Sequence, residues 1–367
     1  MGDKSTILRK GKDNITPGGY RFVMIWAAGL LFLYGLGGYF GAALLRGYVA
    51  ESVRVREARM ALLSTELNAQ SSAQTPAGTS PVDVQVGLIM NHVGEFAMRE
   101  AAWTADFNLF FRWTGDGVNP GESFRLVNGQ IVQREKVESS RRGMEHSAEY
   151  HVVARMTKPF DASRFPFSDE GLLVRVEDAT HEVRYVADNS GGKIGPDALP
   201  RGLKLGGLMV ESGTGRVDPA PADGKTAARS ELVFGLLIVP ESFGIYLQMF
   251  QALFASVAIA LIVLFIRPIH VDPRFGLPVG GFFAAVGNNV YLSSLLPHSD
   301  RFTLANLVNA TGLFTIFLVL VQSAISLYLQ DTLGQERLRR LFDHVSFAVF
   351  LVGYVAINLA FPFAAKT

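Results

Sequence analysis

The sequence of 367 residues contains no cysteine, and only 18% of its residues are charged. Without cysteine there are no disulfides, no zinc held by thiolates and no thiol catalysis, although this does not locate the compartment. The charges nearly cancel, to a formal net charge of +1. No basic aromatic patch, Ser-His-Asp order or pair of carboxylates in an apolar run stands out, so we expect neither nucleic-acid binding nor an enzyme. His146 and His151 lack a third ligand at a recognisable spacing, so no metal or other cofactor is expected.

What the sequence has instead is long apolar runs. A helix needs about 20 residues to cross a bilayer, and five runs reach that length: 22–45, 243–266, 275–296, 304–329 and 345–363. The last four are separated by short connections, so residues 243–367 are predicted to form a four-helix transmembrane domain. The first run is too long for a cleavable signal sequence and predicts a retained transmembrane anchor.

Basic residues predict how these spans are oriented. Residues 1–21 form a basic tail, which the positive-inside rule places in the cytoplasm; its charges are Lys4, Arg9, Lys10, Lys12 and Arg21. Five spans then place residues 46–242 outside the membrane. With five spans, two further basic groups also lie on the cytoplasmic side: Arg267 and Arg274, then Arg337, Arg339 and Arg340.

Residues 46–81 have the pattern of a helix followed by a linker. Apolar residues recur at alternating spacings of four and three, which predicts an exposed juxtamembrane helix as far as Ala69; they are Val49, Val53, Met60, Leu63 and Leu67. Ser71–Pro81 is rich in Ser, Gln, Thr, Pro and Gly and predicts a linker.

From Val82 the period changes to two, as in strands that bury one face. Alternating segments at 82–88 and 107–113 are followed by further strand candidates near 124–127, 131–137, 150–156, 172–177, 182–186, 204–210 and 231–239, with turn signals such as Asn128-Gly129 between them. Many short strands of this kind favour an extracytoplasmic β-sandwich over residues 82–242. Pro166, flanked by Phe165 and Phe167, cannot sit in a central strand and marks an apolar loop between two strands.

With Trp113-Thr-Gly-Asp116, this Phe-Pro-Phe loop and the four apolar runs, residues 82–363 resemble the pentameric ligand-gated ion channels. The closest resemblance is to prokaryotic members that lack the disulfide, and the most specific part is 272–303, which looks like the pore-lining helix and its exit. The resemblance implies a homopentamer among the lipids of a bacterial inner membrane, with a periplasmic sandwich that senses a signal. It also implies a coupling path to the pore helix, formed by Asp161, Phe165, Pro166, Phe167, Leu296 and Pro297.

On a helical wheel, six residues of the third run fall on one stripe, which the resemblance directs towards a central pore: Gly276, Gly280, Phe283, Gly287, Val290 and Ser294. One aromatic ring among small residues suits an apolar constriction that gates by dewetting. The alternative is that Gly280 and Gly287 allow close helix packing. Asn288 and Asn289 lie off the stripe, and we expect them to hydrogen-bond between helices.

Two further points stay open from the sequence. At the cytoplasmic mouth, a ring of Asp272 or of Arg274 could select ions, or both could be helix-end charges among headgroups. The rival function is a non-conducting membrane sensor or scaffold that keeps the fold and binds a membrane partner through its anchor, where Gly37 and Gly41 predict a packing face. Val239 and Ala252 favour the rival, because they stand where the channel family usually has arginine and proline.

Overall fold

The computed structural model describes residues 15–70, 82–179, 183–188, 192–214, 230–240 and 243–366, without the side chains of 55–70, 213 and 214. One long helix precedes ten strands, and four long helices follow them. The basic residues 4–12 and the predicted linker 71–81 lie outside the described residues. So do the side chains of the apolar stripe beyond Val53.

The helices agree with the apolar runs, with one difference. Their bounds are α1 (Pro17–Gln70), the single turn α2 (Pro120–Ser123), α3 (Gly244–Ile262), α4 (Val271–Leu295), α5 (Leu304–Asp331) and α6 (Glu336–Lys366). The predicted anchor and juxtamembrane helix form one continuous helix, α1, because nothing between them breaks the backbone hydrogen bonding. Thr303 begins α5 by accepting the amide N–H of Asn306 on Oγ1 at 3.2 Å.

Among the described residues, four helices are long and apolar enough to cross a membrane, the composition of a membrane protein: Pro17–Arg54, Gly244–Phe265, Leu304–Asp331 and Glu336–Lys366. The sequence predicted five spans, and α4 is the run that does not reach this level. Its glycines, asparagines and serines lower its mean hydropathy relative to that of its neighbours.

The helices α3 to α6 form one bundle with two distinct ends. At the domain end, Phe243 at the start of α3 and Leu304 at the start of α5 contact the β-sheet domain. At the distal end, Arg274 of α4 pairs with Asp343 of α6. Since α4 begins at the distal end and finishes at the domain end, it runs from one end of the bundle to the other, as α3 and α5 do.

Helix α1 packs along α6. The ring of Tyr34 lies edge-on to Phe350 at 6.5 Å, and its hydroxyl hydrogen-bonds with Thr315 of α5 at 2.7 Å. A Cβ on Gly41 would lie 2.5 Å from the Phe361 ring, so the helices approach closely only because this residue is glycine. Nothing lies within 4 Å of such an atom on Gly37. Within the chain, Gly41 therefore lies at the contact with α6, whereas Gly37 does not.

Two sheets make up the β domain. Their strands are β1 (Val82–Ala97), β2 (Ala102–Thr114), β3 (Phe124–Leu126), β4 (Gly129–Arg142), β5 (Glu145–Thr157), β6 (Glu170–Asp178), β7 (Val183–Ala187), β8 (Lys193–Ile194), β9 (Leu203–Thr214) and β10 (Ser230–Pro240). One sheet has the order β4-β5-β2-β1-β7, with β8 also pairing with β1, and the other has the order β3-β6-β10-β9. Every predicted strand is present. The sequence missed β8, which is too short for a periodic pattern.

The period-two pattern explains which faces are buried. Along β2, Phe107, Leu109, Phe111 and Trp113 point inward and alternate with more exposed residues. The Phe111 ring lies 5.6 Å from that of Phe124 in the other sheet. The Tyr185 amide of β7 donates to Ser230 Oγ of β10 at 2.6 Å. Side chains of both sheets therefore share one hydrophobic core.

Candidate functional site

The connection between β5 and β6 is the Phe-Pro-Phe loop that the sequence predicted. An ion pair between Lys158 and Glu170 closes its base, and the Lys158 ammonium also lies 4.5 Å from the centre of the Phe160 ring. Within the loop, Asp161 Oδ1 accepts the Ser163 amide N–H at 2.9 Å. Asp161 thus stabilises the turn that presents the following residues to the bundle.

Burial shifts the pKa of the acidic residue at the base of the loop. Removal from water raises the pKa of the Glu170 carboxyl, because it disfavours the charged form. Lys158 opposes this shift through its charge and hydrogen bond, and the nearby Asp161 adds to it. The net effect is a raised pKa, so burial outweighs the ion pair.

Phe167 docks the loop onto the start of the bundle. Only 4% of this residue is exposed, and its ring lies 5.9 Å from that of Phe243 and 5.7 Å from that of Tyr246. The Lys366 ammonium lies 5.3 Å from the same ring. The loop thus contacts the start of the bundle through Phe167, whereas Phe165 is half-buried. Leu296, at the end of α4, is buried, and Pro297 beside it is half-buried.

Two loop residues that the sequence analysis did not single out make the polar contacts with the bundle. The Ser163 carbonyl accepts the Leu304 amide N–H at 2.9 Å, at the start of α5. Arg164 is buried and donates to the Ala365 carbonyl of α6 at 3.1 Å. The loop therefore contacts α3, α5 and α6 together. An arginine directly before the Phe-Pro-Phe run was the signal that could have pointed to this role.

All six residues of the predicted stripe on α4 are exposed in the chain. Phe283 and Val290 expose 68% and 65% of their surface. No atom lies within 4 Å of a Cβ placed on Gly276, Gly280 or Gly287. Within one subunit, these glycines therefore do not serve close helix packing.

The opposite face of α4 is buried against the same chain. It comprises Arg274, Pro278, Gly281, Ala285, Asn288 and Leu292, at alternating spacings of four and three. A Cβ on Gly281 would lie 2.9 Å from the Ser256 carbonyl oxygen, so α3 and α4 come into near backbone contact there. One face of α4 thus packs against the rest of the chain, while the stripe is left uncovered.

Asparagines fix the middle of α4 against α5, as the sequence predicted. The Asn288 side-chain amide donates to Asn309 Oδ1 at 3.4 Å. The Asn309 amide donates in turn to Asn289 Oδ1 at 3.3 Å. These amides satisfy one another across the helix interface.

The two charges considered for the cytoplasmic mouth occupy different environments. Asp272 is exposed, whereas Arg274 is fully buried and donates to Asp343 Oδ1 at 3.1 Å. Asp343 also accepts from Gln322 Nε2 at 2.6 Å and from Arg339 Nη1 at 2.8 Å. Of the two candidates, only Asp272 presents its charge at the surface of the chain. The sequence analysis missed Asp343 and Gln322, although a glutamine inside an apolar run was a usable signal.

The two histidines are engaged with neighbouring side chains. The His146 ring stacks on Trp113 at 5.3 Å and its Nε2 lies 3.1 Å from Asp116. His151 lies 2.9 Å from Asp106. Across the part of the chain that the structure describes, no group of three or more His, Cys, Asp or Glu side chains could hold a metal ion.

Two features of the described residues bear on function: the contacts between the β5–β6 loop and the bundle, and the exposed stripe on α4. Comparison with models of known protein families gives no match, and comparison with curated proteins gives none either. The contacts at the junction and the exposure of the stripe are therefore the basis for a functional proposal.

Proposed function

We propose that the protein is a homopentameric ion channel of a bacterial inner membrane, in which a periplasmic β-sandwich gates a pore lined by α4. The observation that carries this proposal is the division of α4 into two faces. One face packs in its own subunit, and the Gly276–Ser294 stripe is exposed along the length of the helix.

The composition of α4 supports this placement. Its neighbours α3 and α5 are apolar enough to cross a membrane. Helix α4 follows the distal end of α3 and leads to the domain end of α5. If α3 and α5 span the bilayer, so does α4. A helix rich in glycine, asparagine and serine is better suited to contact with water or with other copies than to contact with lipid.

The stripe has the chemistry of a gate rather than that of a filter. Phe283 is its one aromatic residue, with Gly280 and Gly287 about one turn away on either side. A narrow apolar ring loses its water because water cannot replace its hydrogen bonds there. Selection would then fall to Asp272 at the mouth, where five exposed carboxylates favour cations.

The loop contacts supply the route from sensor to gate. A rearrangement of the β domain moves Phe167 against Phe243 and Tyr246, and Ser163 against Leu304. Leu304 follows directly on the α4–α5 connection. Such coupling requires that the sandwich and the bundle each have two arrangements.

A second function, a non-conducting sensor or scaffold, is favoured by a different observation. Helix α1 exposes large apolar side chains that a membrane partner could cover: Met24, Ile25, Phe32, Tyr39 and Phe40. The stripe on α4 also contains no charged residue.

Conductance of the purified protein in planar bilayers separates the two functions. The channel proposal expects discrete current steps. A matched Gly280→Trp variant, whose Cβ meets no atom of its own chain within 4 Å, should assemble normally and pass less current. Intact oligomers that pass no current under any potential or pH would favour the scaffold.

A further inference from the structure

Near the domain end, one turn of α1 contacts the α4–α5 connection. The Glu51 carboxylate pairs with both terminal nitrogens of Arg301, at 2.5 and 2.7 Å. The Tyr48 hydroxyl donates to the Phe302 carbonyl at 3.4 Å, and the Arg301 guanidinium lies 5.7 Å from the Tyr48 ring centre. A two-pronged arginine–carboxylate pair fixes orientation as well as distance.

The same turn contacts the Phe-Pro-Phe loop. Arg164 Nη2 donates to Ser52 Oγ at 3.0 Å, and the Ser52 hydroxyl donates its own proton to the Val49 carbonyl at 2.8 Å. That second bond orients the hydroxyl so that a lone pair faces the guanidinium. Tyr48, Glu51 and Ser52 follow the i, i+3, i+4 spacing of one helical face.

We propose that the turn Tyr48–Ser52 of α1 is a coupling element, which holds the Phe-Pro-Phe loop and the α4–α5 connection in a fixed relative position. Helix α1 is then part of the transmission between the domains as well as an anchor. The inference rests on the proposed function, because it adds α1 to the Phe-Pro-Phe loop and the α4–α5 connection as a part of the gating contact. The contacts themselves do not depend on conduction.

The pair between Glu51 and Arg301 suits a contact that has to be broken and remade. Both side chains are about half exposed, at 47% and 49%, so water and salt screen their attraction. The contact therefore sets geometry and adds little to the stability of the folded chain. Arg164, by contrast, is buried between α1 and α6, so it transmits displacement of either helix to the loop.

Amide hydrogen exchange of the full chain in nanodiscs tests this inference without requiring conduction. Ser52→Ala does not touch the α4–α5 connection, yet it should accelerate exchange of amides in 296–303. Glu51→Arg should likewise accelerate exchange in 160–168. We expect changes of about fivefold in each case. The combined exchange of charges, Glu51→Arg with Arg301→Glu, should restore the wild-type rates, and Arg54→Glu, an exposed reversal one turn further on, should have no effect.

Two results would overturn the proposal. One is an effect of each variant confined to the segment it touches. The other concerns the Leu304 amide, which donates directly to the Ser163 carbonyl and so reports a route that bypasses α1. The proposal fails if its exchange accelerates together with the cross-effect, which is the acceleration that each variant causes in the segment it does not touch. If the cross-effect holds while the wild type carries no current, the coupling inference stands and the channel proposal fails.

Discussion

Asp343 is the residue on which the distal end of the bundle depends most. It accepts hydrogen bonds from Arg274, Gln322 and Arg339, so one carboxylate ties α6 to both α4 and α5. Loss of one partner from a buried ion pair leaves the other charge uncompensated, which costs about 3–5 kcal/mol. We expect Asp343→Asn to lower the free energy of unfolding by that amount, as measured by denaturant or thermal unfolding in detergent.

Asp272→Asn is the matched control, because it removes an exposed carboxylate from the same end of the bundle. It should leave stability within about 0.5 kcal/mol of the wild type. Equal losses in the two variants would show that the buried network is not the origin of the effect.

Glu170 makes stability depend on pH in the direction opposite to that of most paired carboxylates. Because its pKa is raised in the folded chain, the folded state holds this proton more tightly than the unfolded state does. The associated stability is complete below the ordinary value of 4.5 and is lost as the pH rises through the raised pKa. The melting temperature of the wild type should therefore rise relative to that of Glu170→Gln as the pH falls from 7 towards 4.5.

Glu135→Gln, which removes an exposed carboxylate from β4, controls for the change in net charge. A wild type that loses stability relative to Glu170→Gln on acidification would mean that the Lys158 ion pair outweighs burial.

At the scale of elements, the β5–β6 loop depends on one aromatic ring. Phe167 is buried between Phe243, Tyr246 and Lys366, and truncation of a buried aromatic side chain costs about 3–5 kcal/mol. Phe167→Ala should lower thermal stability by that amount, and Phe165→Ala by less because Phe165 is half-buried. If both variants matched the wild type in stability and in every functional assay, the loop would not be the coupling element.

Helix α4 offers a direct test of the gate through two adjacent rings. Phe283 lies on the exposed stripe and Phe282 lies off it, 37% exposed. Phe283→Ser should wet the constriction and raise resting ion flux in liposomes. Phe282→Ser should mainly lower stability. Equal flux from the wild type and Phe283→Ser, with the oligomer intact, would favour the non-conducting scaffold.

The elements that the sequence predicted well are those with a repeating pattern. Period-two alternation located nine strands, apolar length located the helices, and the proline between Phe165 and Phe167 located the loop after β5. Arg274 shows why the rest could not be predicted. Its counter-charge, Asp343, lies 69 positions away and depends on how α4 meets α6, which no local pattern records. Ser163 and Arg164 were missed for the same reason, since their partners lie at the start of α5 and the end of α6.

For the whole molecule, the proposed function predicts a pentamer. A monomer would leave the Gly276–Ser294 stripe uncovered, whereas in the proposed assembly five copies of α4 enclose the pore with this stripe. Particle images along the membrane normal should show five-fold symmetry. Another closed symmetry would exclude both the pore assignment and the family resemblance.

The continuity of α1 has a consequence for the direction in which the chain leaves this helix. Its 54 residues rise about 80 Å, while the hydrocarbon layer is about 30 Å thick. Each residue inserted beyond Arg54 would turn the far end by about 100° and lift it by about 1.5 Å. No contact at Tyr48–Ser52 would change. The direction in which the chain leaves α1 towards β1 thus depends on the number of residues in the helix. Insertion of one to three alanines would change this direction, and insertion of seven, which is nearly two full turns, would almost restore it.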